Sequence, residues 1–328
     1  MPNERYALVT GCGKGGIGHA LAAGLRNKGS HLFLFLRILF ESTPSNLCGI
    51  KLQVFFYQSG TLDPQSNNWR EIGFTVIATV LPHEDQEHLL SKQIKVSCTD
   101  VTSESSVLEL KETVDAITNG RLDILINNAG IAYTMTAVDT DTKQVEKMFG
   151  VNVFGPMRMV RVFHRMIIAA KGKVVNIGSI GGMTPYVYGA AYNASKAALI
   201  HYGNTLRVEM LPFGVKVVNI ISGEVGTNIL RNDFQRSLPE DSVFAPLSNE
   251  FKAHVRRTPN TTSPEDYAAG VIAEITKASP RAWFWHGKLT SLVWWMTTFL
   301  PQTAFDGMFY RDFKLETLAR KREGSKLE

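Results

Sequence analysis

The chain opens on Tyr6-Ala7-Leu8-Val9-Thr10-Gly11-Cys12-Gly13-Lys14-Gly15-Gly16-Ile17-Gly18: a short apolar run, a turn rich in glycine, and then a segment with helical spacing. The apolar run predicts a buried strand. Glycines after it let the backbone turn sharply and approach a pyrophosphate at the start of a helix. Because five glycines occur in the turn, several assignments of their roles stay open. The position between a strand and a helix predicts dinucleotide binding, and the alternative is a tight turn with no ligand.

Short apolar runs alternate with longer segments of helical spacing along most of the chain. This alternation is typical of βαβ units. We predict a single α/β domain over residues 1–285, a doubly wound parallel sheet of the Rossmann type. The predicted strands are Tyr6–Thr10, Thr75–Leu81, Ile94–Cys98, Leu122–Asn127, Lys173–Ser179, Val215–Ile221 and Ala282–Trp285. The predicted helices are Gly18–Lys28, Ser105–Thr118, Thr142–Ala170, Tyr192–Met210 and Pro264–Ala278.

Composition argues against several classes of protein. The 328 residues carry a net charge of +5 that is not gathered into basic blocks, so we predict no nucleic-acid partner. Three cysteines without metal-ligand spacing predict neither a metal site nor a disulfide framework; they are Cys12, Cys48 and Cys98. No apolar run reaches the length of about 18 residues that a membrane span needs. Because Met1–Arg5 leads directly into a strand, we predict an intracellular protein without a secretory signal.

Residues 32–73 interrupt the alternation. A loop between a helix and the next strand usually has about 2–6 residues, yet these 42 residues precede the predicted strand Thr75–Leu81. The segment is aromatic and patchy, with neither a sustained helical period nor clean alternation. We interpret it as an insert, either a surface loop or translated intron sequence, and not as a second domain.

Polar residues follow two predicted strands at their carboxyl ends, where parallel sheets bind ligands. Asp100 follows the third strand and can accept a hydrogen bond from an adenine amino group or cap the next helix. Asn127-Asn128-Ala129-Gly130 follows the fourth strand and suits either a loop beside a cofactor or an ordinary asparagine-rich turn.

A group of three polar residues carries the chemistry. Ser179 closes the fifth predicted strand, and Tyr192 and Lys196 share one face of a helix because they are four residues apart. The ordinary pKa of a tyrosine is about 10, and a nearby ammonium lowers it. Tyr192 can then exchange a proton with a substrate oxygen while Ser179 hydrogen-bonds the same oxygen.

Taken together, these motifs resemble those of the short-chain dehydrogenase/reductase family, over about residues 6–31 and 75–285. The resemblance implies that Tyr192 is the acid/base, Ser179 binds the substrate oxygen, and Lys196 holds the nicotinamide ribose and lowers the pKa of Tyr192. It also implies that Asn152 holds a water that relays protons to Lys196. Ser222 stands where the family usually has proline. The predicted cofactor-binding set is Gly11, Lys14, Gly16, Ile17, Gly18, Asp100, Asn128, Tyr192, Lys196, Val225 and Thr227.

A narrower resemblance points to the fungal NADPH-dependent 1-acyldihydroxyacetone-phosphate reductases and their relatives. It rests on the long glycine turn, Gly178-Ser179-Ile180 and Pro212-Phe213-Gly214-Val215. Enzymes that use NAD place a carboxylate at the end of the second strand, whereas this chain has no acid there before Glu84. Lys14 can meet a 2′-phosphate instead, so we predict NADP(H), although the arginine usual after this strand is missing.

Residues 286–328 form an apolar extension beyond the predicted domain. Apolar residues recur in it at helical spacing: Leu289, Leu292, Val293, Trp295, Met296 and Phe299. Such a helix completes the core, forms a dimer face, or lies on lipid at the surface of the endoplasmic reticulum or of lipid droplets. The resemblance also leads us to expect a homo-oligomer.

The predicted function is an NADP(H)-dependent oxidoreductase that transfers hydride between nicotinamide and a keto or hydroxyl group of a lipophilic substrate, for which acyldihydroxyacetone phosphate is one candidate. The alternative enzyme acts on an alcohol or ketone of a fungal secondary-metabolite pathway. The alternative from another class is a non-productive nucleotide-binding scaffold.

Overall fold

The computed structural model describes residues 4–28, 32–41, 49–58, 60–62, 69–71, 73–257 and 261–324. The strands are β1 (Arg5–Val9), β2 (Leu32–Glu41), β3 (Gly49–Gln58), β4 (Gly60–Leu62), β5 (Trp69–Glu71), β6 (Phe74–Val80), β7 (Lys95–Cys98), β8 (Ile124–Asn127), β9 (Lys173–Ile177), β10 (Lys216–Ser222) and β11 (Trp283–His286). The helices are α1 (Ile17–Asn27), α2 (Glu87–Leu90), α3 (Glu104–Thr118), α4 (Thr142–Phe149), α5 (Gly155–Ala170), α6 (Ala190–Glu209), α7 (Ser248–Val255), α8 (Pro264–Ile275), α9 (Thr290–Phe299), α10 (Asp306–Asp312) and α11 (Glu316–Gly324).

Seven strands form one parallel sheet in the order β11-β10-β9-β8-β1-β6-β7. All seven predicted strands are present, and the doubly wound α/β architecture is confirmed. The chain leaves β1 toward β6 on one side and later returns to β8 on the other. Such a switch point opens a crevice at the carboxyl ends of the strands, where these folds bind ligands.

Helices cover both faces of the sheet. On one face, α1 and α8 bury Leu21, Leu25, Tyr267 and Val271 against the strands. On the other, α3, α5 and α6 bury a second apolar layer that includes Phe163. Because both faces are covered, the strands are apolar throughout instead of alternating.

The predicted insert lies outside the main sheet. Strand β2 pairs antiparallel with β3, and β4 pairs with β5, as two separate two-stranded sheets. Parts of the insert, namely 42–48, 59, 63–68 and 72, lie outside the described residues. The choice between a surface loop and translated intron sequence stays a prediction, as do the domain bounds.

One predicted helix is interrupted. The expected helix Thr142–Ala170 consists of α4, a single π-helical segment at Gly150–Phe154, and α5. Wide turns of this kind are frequent at functional sites. The segment contains Asn152, which is completely buried.

The apolar extension is helical where it is described. Helix α9 buries Thr290 and Val293, and Phe305 is buried just before α10. Within the described residues, no helix is both long enough and apolar enough to cross a membrane.

Three buried asparagines connect neighbouring strands at one level of the sheet. Asn127, Asn176 and Asn219 are register partners on β8, β9 and β10. Asn127 Nδ2 donates to Asn176 Oδ1 at 2.9 Å, and Asn176 Nδ2 donates to Asn219 Oδ1 at 3.2 Å. Each amide therefore supplies a partner for the next, as buried polar groups usually require, while Asn127 Oδ1 at the end of the row has no partner among the described residues.

The same amides hold helix α6 against the sheet. Asn219 Nδ2 donates to the carbonyl of Ile200 on α6 at 3.0 Å. At Gly203, one turn further along, a Cβ would overlap Asn219 Oδ1 and lie 2.7 Å from Asn176 Nδ2. Glycine therefore permits the close approach that positions the residues of α6.

We expect Gly203→Ala to lower the free energy of unfolding by about 2–5 kcal/mol, because the methyl group overpacks the core and displaces buried amide hydrogen bonds. Urea denaturation measures the effect. Gly307→Ala is the matched control, since a Cβ there meets no described residue within 4 Å, and its stability should stay within about 1 kcal/mol of wild type. Equal stability of the two variants would contradict the tight packing of α6.

Candidate active site

A cleft of about 690 Å³ opens at the switch point of the sheet. This volume lies in the range of ligand-binding pockets. Its walls come from the glycine turn after β1, the ends of β6, β7 and β8, the start of α6, and the segment after β10. Among the predicted residues that line it are Gly11, Lys14, Gly16, Ile17, Asp100, Asn128, Ser179, Tyr192, Lys196, Val225 and Thr227.

The glycine turn is built by close contacts of the backbone. Gly11 has a φ of +67°, and a Cβ there would lie 2.7 Å from Ala129 Cα. At Gly18, a Cβ would lie 2.5 Å from Asn128 Nδ2. Asn128 Nδ2 itself donates to the carbonyls of Thr10 and Gly11, at 2.8 and 2.9 Å. Asn128 thus ties two loops together, and Gly18 lies behind the cleft and not on its wall.

The start of helix α1 fits a phosphate group. Gly16 at its N-cap has no side chain that caps the helix, and its first turn contains no acid. The N–H groups at such a helix start attract an anion. Together with the glycine cradle, this arrangement fits a bound dinucleotide.

Asp100 makes a turn of its own and does not cap the next helix. Its Oδ1 accepts from the amide and the hydroxyl of Thr102, both at 2.8 Å. The N-cap of α3 is Ser103, whose hydroxyl accepts from the Ser106 amide. The capping alternative for Asp100 is therefore wrong, while its place on the cleft wall agrees with an adenine contact.

Ser179, Tyr192 and Lys196 lie together in the cleft. The Ser179 hydroxyl lies close enough to the Tyr192 hydroxyl to affect its pKa, and Ser179 Oγ accepts from the Gly181 amide at 3.0 Å. Lys196 Nζ donates to the carbonyl of Ile177 at 2.9 Å and lies 5.8 Å from the centre of the Tyr192 ring. The end of β9 and the first turns of α6 thus bring the predicted group into one place.

Burial sets the proton affinities of this group. It raises the pKa of Tyr192, and the nearby Ser179 hydroxyl opposes that rise. It also lowers the pKa of Lys196 to about 8. Loss of hydration is thus the larger influence on Tyr192 in this structure, and the lowering of its pKa by Lys196 stays a prediction.

Asn152 lies behind the cleft and clamps the loop after β8. Its Oδ1 accepts from the Ile131 amide at 2.9 Å, and its Nδ2 donates to the Ile131 carbonyl and to Ser195 Oγ, both at 3.0 Å. A Cβ on Gly130 would lie 3.4 Å from Asn152 Oδ1 and 3.6 Å from Lys196 Nζ. Gly130 therefore lies beside both side chains. The water relay stays a prediction.

At Ser222, where the family usually has proline, a hydrogen bond holds the backbone segment in place. The Ser222 hydroxyl lies 2.5 Å from that of the buried Tyr267 on α8. This hydrogen bond fixes the start of the segment that carries Val225 and Thr227 into the cleft.

Comparison with known proteins agrees with this geometry. The family model described as short chain dehydrogenase matches residues 72–237. The short-chain dehydrogenase RED1 of Pyricularia oryzae is 54% identical over 318 residues, which are 96% of each chain. The chain belongs to the short-chain dehydrogenase family.

Two further relatives extend the comparison for this short-chain dehydrogenase. The NADPH-dependent 1-acyldihydroxyacetone phosphate reductase of Schizosaccharomyces pombe is 36% identical over 250 residues, 75% of this chain and 70% of that one. A crystal structure of a short-chain dehydrogenase from Streptomyces avermitilis superposes with a TM-score of 0.66 at 22% identity, over 98% of this chain and 99% of that one. The family identification and the oxidoreductase class are confirmed.

Several residues that line the cleft of this dehydrogenase were not predicted: Glu84, Tyr186, Tyr188, Glu224, His254 and Arg257. Tyr188 has a left-handed backbone, with a φ of 64°, which is unusual for a bulky residue. Its ring packs against His254 on α7 and Phe313 just after α10. The signal in the sequence that could have indicated this part of the cleft is the pair Tyr186 and Tyr188, shortly before Tyr192.

Proposed function

We propose that the protein is an NADP(H)-dependent reductase or dehydrogenase of a lipophilic ketone or alcohol. The observation that carries the proposal is the grouping of Ser179, Tyr192 and Lys196 on the wall of the same cleft as an uncapped glycine turn. Bound NADPH would supply a hydride to the carbonyl carbon.

The side chains supply the proton and orient the substrate. Because burial raises the pKa of Tyr192, its hydroxyl stays protonated at neutral pH and can donate its proton to the carbonyl oxygen. Ser179 donates a hydrogen bond to that oxygen. In the oxidation direction, Tyr192 accepts the proton of the alcohol when it is deprotonated, as a phenolate. Lys196 holds a positive charge near the tyrosine at pH values below about 8.

Two charges at the cofactor end of the cleft bear on the choice of NADP(H). Lys14 is an exposed cation in the glycine turn, and Glu84 is a carboxylate near Gly13. Glu84 Oε2 accepts from the Leu81 amide at 2.8 Å, so its charge is engaged in its own turn. We propose that Lys14 binds the 2′-phosphate and that Glu84 weakens this preference.

The substrate has two candidates. The name of the Schizosaccharomyces pombe relative specifies acyldihydroxyacetone phosphate. The more similar Pyricularia oryzae relative is named only as a short-chain dehydrogenase, which leaves room for an alcohol or ketone of secondary metabolism. The apolar side chains of the cleft wall suit a lipophilic molecule in either case.

Purified protein should oxidise NADPH in the presence of at least one lipophilic ketone, and Tyr192→Phe should lower kcat about 100-fold or more, because the variant has no proton to donate. Absorbance of NADPH measures the rate across acyldihydroxyacetone phosphate, medium-chain ketones and aromatic aldehydes. Tyr202→Phe is the matched control: it removes a hydroxyl from the same helix, away from the cleft, and should retain activity. Binding of NADPH without turnover of any carbonyl compound would favour the non-productive nucleotide-binding scaffold over the enzyme.

Lys14→Ala should weaken the binding of NADPH about tenfold and leave the affinity for NADH within about twofold of wild type. The reason is that only NADPH carries the 2′-phosphate. Glu84→Gln should strengthen NADPH binding. Isothermal titration calorimetry measures both affinities, and Lys95→Ala, another exposed lysine, is the control. If Lys14→Ala weakens the binding of NADPH and of NADH equally, Lys14 does not recognise the 2′-phosphate.

The exposed face of α9 is the basis for a proposed lipid contact. Trp294, Trp295 and Phe299 are 44%, 49% and 62% exposed, and Leu292 is 52% exposed. Lys288 stands just before this helix. We propose that the apolar side chains enter the interface of an anionic membrane while the lysine meets its headgroups.

The double variant Trp295→Ser/Phe299→Ser should lower binding to vesicles of phosphatidylserine and phosphatidylcholine about tenfold or more, because it removes two of these side chains from the interface. Co-sedimentation measures binding, and Val138→Ser is the control, since Val138 is 71% exposed elsewhere. If wild type does not bind vesicles and the double variant dissociates an oligomer, a second copy of the chain covers this face instead of a membrane. The homo-oligomer itself stays a prediction.

A further inference from the structure

Arg257 lies on the wall of the cleft directly after helix α7. Its Nη1 donates to the carbonyl of His254 at 2.9 Å and lies 2.9 Å from His254 Nε2. The guanidinium carbon lies 5.9 Å from the centre of the Tyr186 ring. These contacts hold the guanidinium in place through one of its three nitrogens.

The guanidinium has no acidic partner in the described part of the chain. None of the salt bridges there involves Arg257, and its described hydrogen bonds come from Nη1 alone. Glu224 and Asp312 lie near enough to affect the neighbouring Tyr186. Burial raises the pKa of the Tyr186 hydroxyl, and Arg257 opposes this rise. The carboxylates of Glu224 and Asp312 raise the same pKa further. Neither carboxylate pairs with the arginine, so Nε and Nη2 keep N–H groups for a ligand.

His254 acts as an acceptor beside Arg257 and not as a second cation. Burial, aided by Arg257, lowers the pKa of His254 to about 3. A neutral imidazole Nε2 can accept from the arginine Nη1. Arg257 is therefore the fixed positive charge at this place in the cleft.

Aromatic rings flank the charge and connect it to the catalytic helix. Tyr186 packs on Phe309 and Phe313 of the C-terminal extension, with ring centres 5.5 and 5.3 Å apart. Its carbonyl accepts from Asn193 Nδ2 at 3.0 Å, and Asn193 follows Tyr192 directly. The same wall thus presents an apolar surface, a cation and the residue that handles the proton.

We propose that Arg257 binds an anionic oxygen group of the substrate, a carboxylate or a phosphate, while the apolar body of the substrate lies along Tyr186. The carbonyl to be reduced then reaches Ser179 and Tyr192. This inference rests on the proposed function and deepens it, because it makes the substrate an amphipathic anion. Residues 286–328 gain a role in it, since their phenylalanines support the wall.

The first experiment measures binding without turnover. Isothermal titration calorimetry compares decanoate, decyl phosphate and decanol on wild type and on Arg257→Gln. We expect Arg257→Gln to lower the affinity of at least one anion about 10- to 100-fold and that of decanol less than twofold, because charge-assisted hydrogen bonds are lost. The anion with the larger loss identifies carboxylate or phosphate. Arg256→Gln is the matched control, since Arg256 is exposed and its one side-chain hydrogen bond among the described residues goes to the Phe234 carbonyl.

Arg257→Lys should fall between wild type and Arg257→Gln, because it keeps the charge and loses the planar fork. The second experiment compares kcat/KM for keto acids of increasing length with that for their methyl esters, and Arg257→Gln should lower the acid-to-ester ratio at least tenfold. Equal effects of the Arg256 and Arg257 variants, or an unchanged ratio, would overturn the proposal. If no carbonyl compound is reduced, the proposed function fails, and the binding experiment still decides the role of Arg257.

Discussion

Helix α6 lies so close to strands β9 and β10 that no side chain fits between them at Gly203. Buried amides fill this contact, and Asn219 reaches from β10 to the backbone of α6. Nearer the cleft, Lys196 donates to the Ile177 carbonyl at the end of β9. The positions of Tyr192 and Lys196 relative to Ser179 depend on this contact, because a buried helix packed to crystal-like density has little freedom to shift.

The cleft brings two kinds of recognition to one reactive centre. The glycine turn and helix α1 offer backbone N–H groups and Lys14, and Arg257 lies on the cleft wall beside aromatic rings. The Tyr192 hydroxyl, whose pKa is raised by burial, lies in the same cleft. A proton donor in a cleft with two cationic residues suits a reaction between a phosphorylated cofactor and an amphipathic substrate.

Local patterns predicted much of this structure. The seven strands and the Tyr192–Lys196 pair follow from apolar runs and from residues four apart on a helix. The π-helical segment around Asn152 was missed, because Gly150 and Gly155-Pro156 within Thr142–Ala170 indicate an interruption of the helix but not its type. The interruption serves contacts with Ile131 and Ser195. Arg257 was missed for a related reason: its environment combines residues from three distant parts of the chain, which no local spacing brings together.

Transfer of deuterium from NADPH labelled at nicotinamide C4 tests the central claim most directly. After incubation with the ketone that gives the fastest NADPH oxidation, mass spectrometry of the alcohol should find one deuterium on the carbinol carbon when the transferred position is labelled. Tyr192→Phe should give little of the same labelled product. An alcohol without deuterium from either C4-labelled form of NADPH would contradict direct hydride transfer at the centre formed by Ser179, Tyr192 and Lys196.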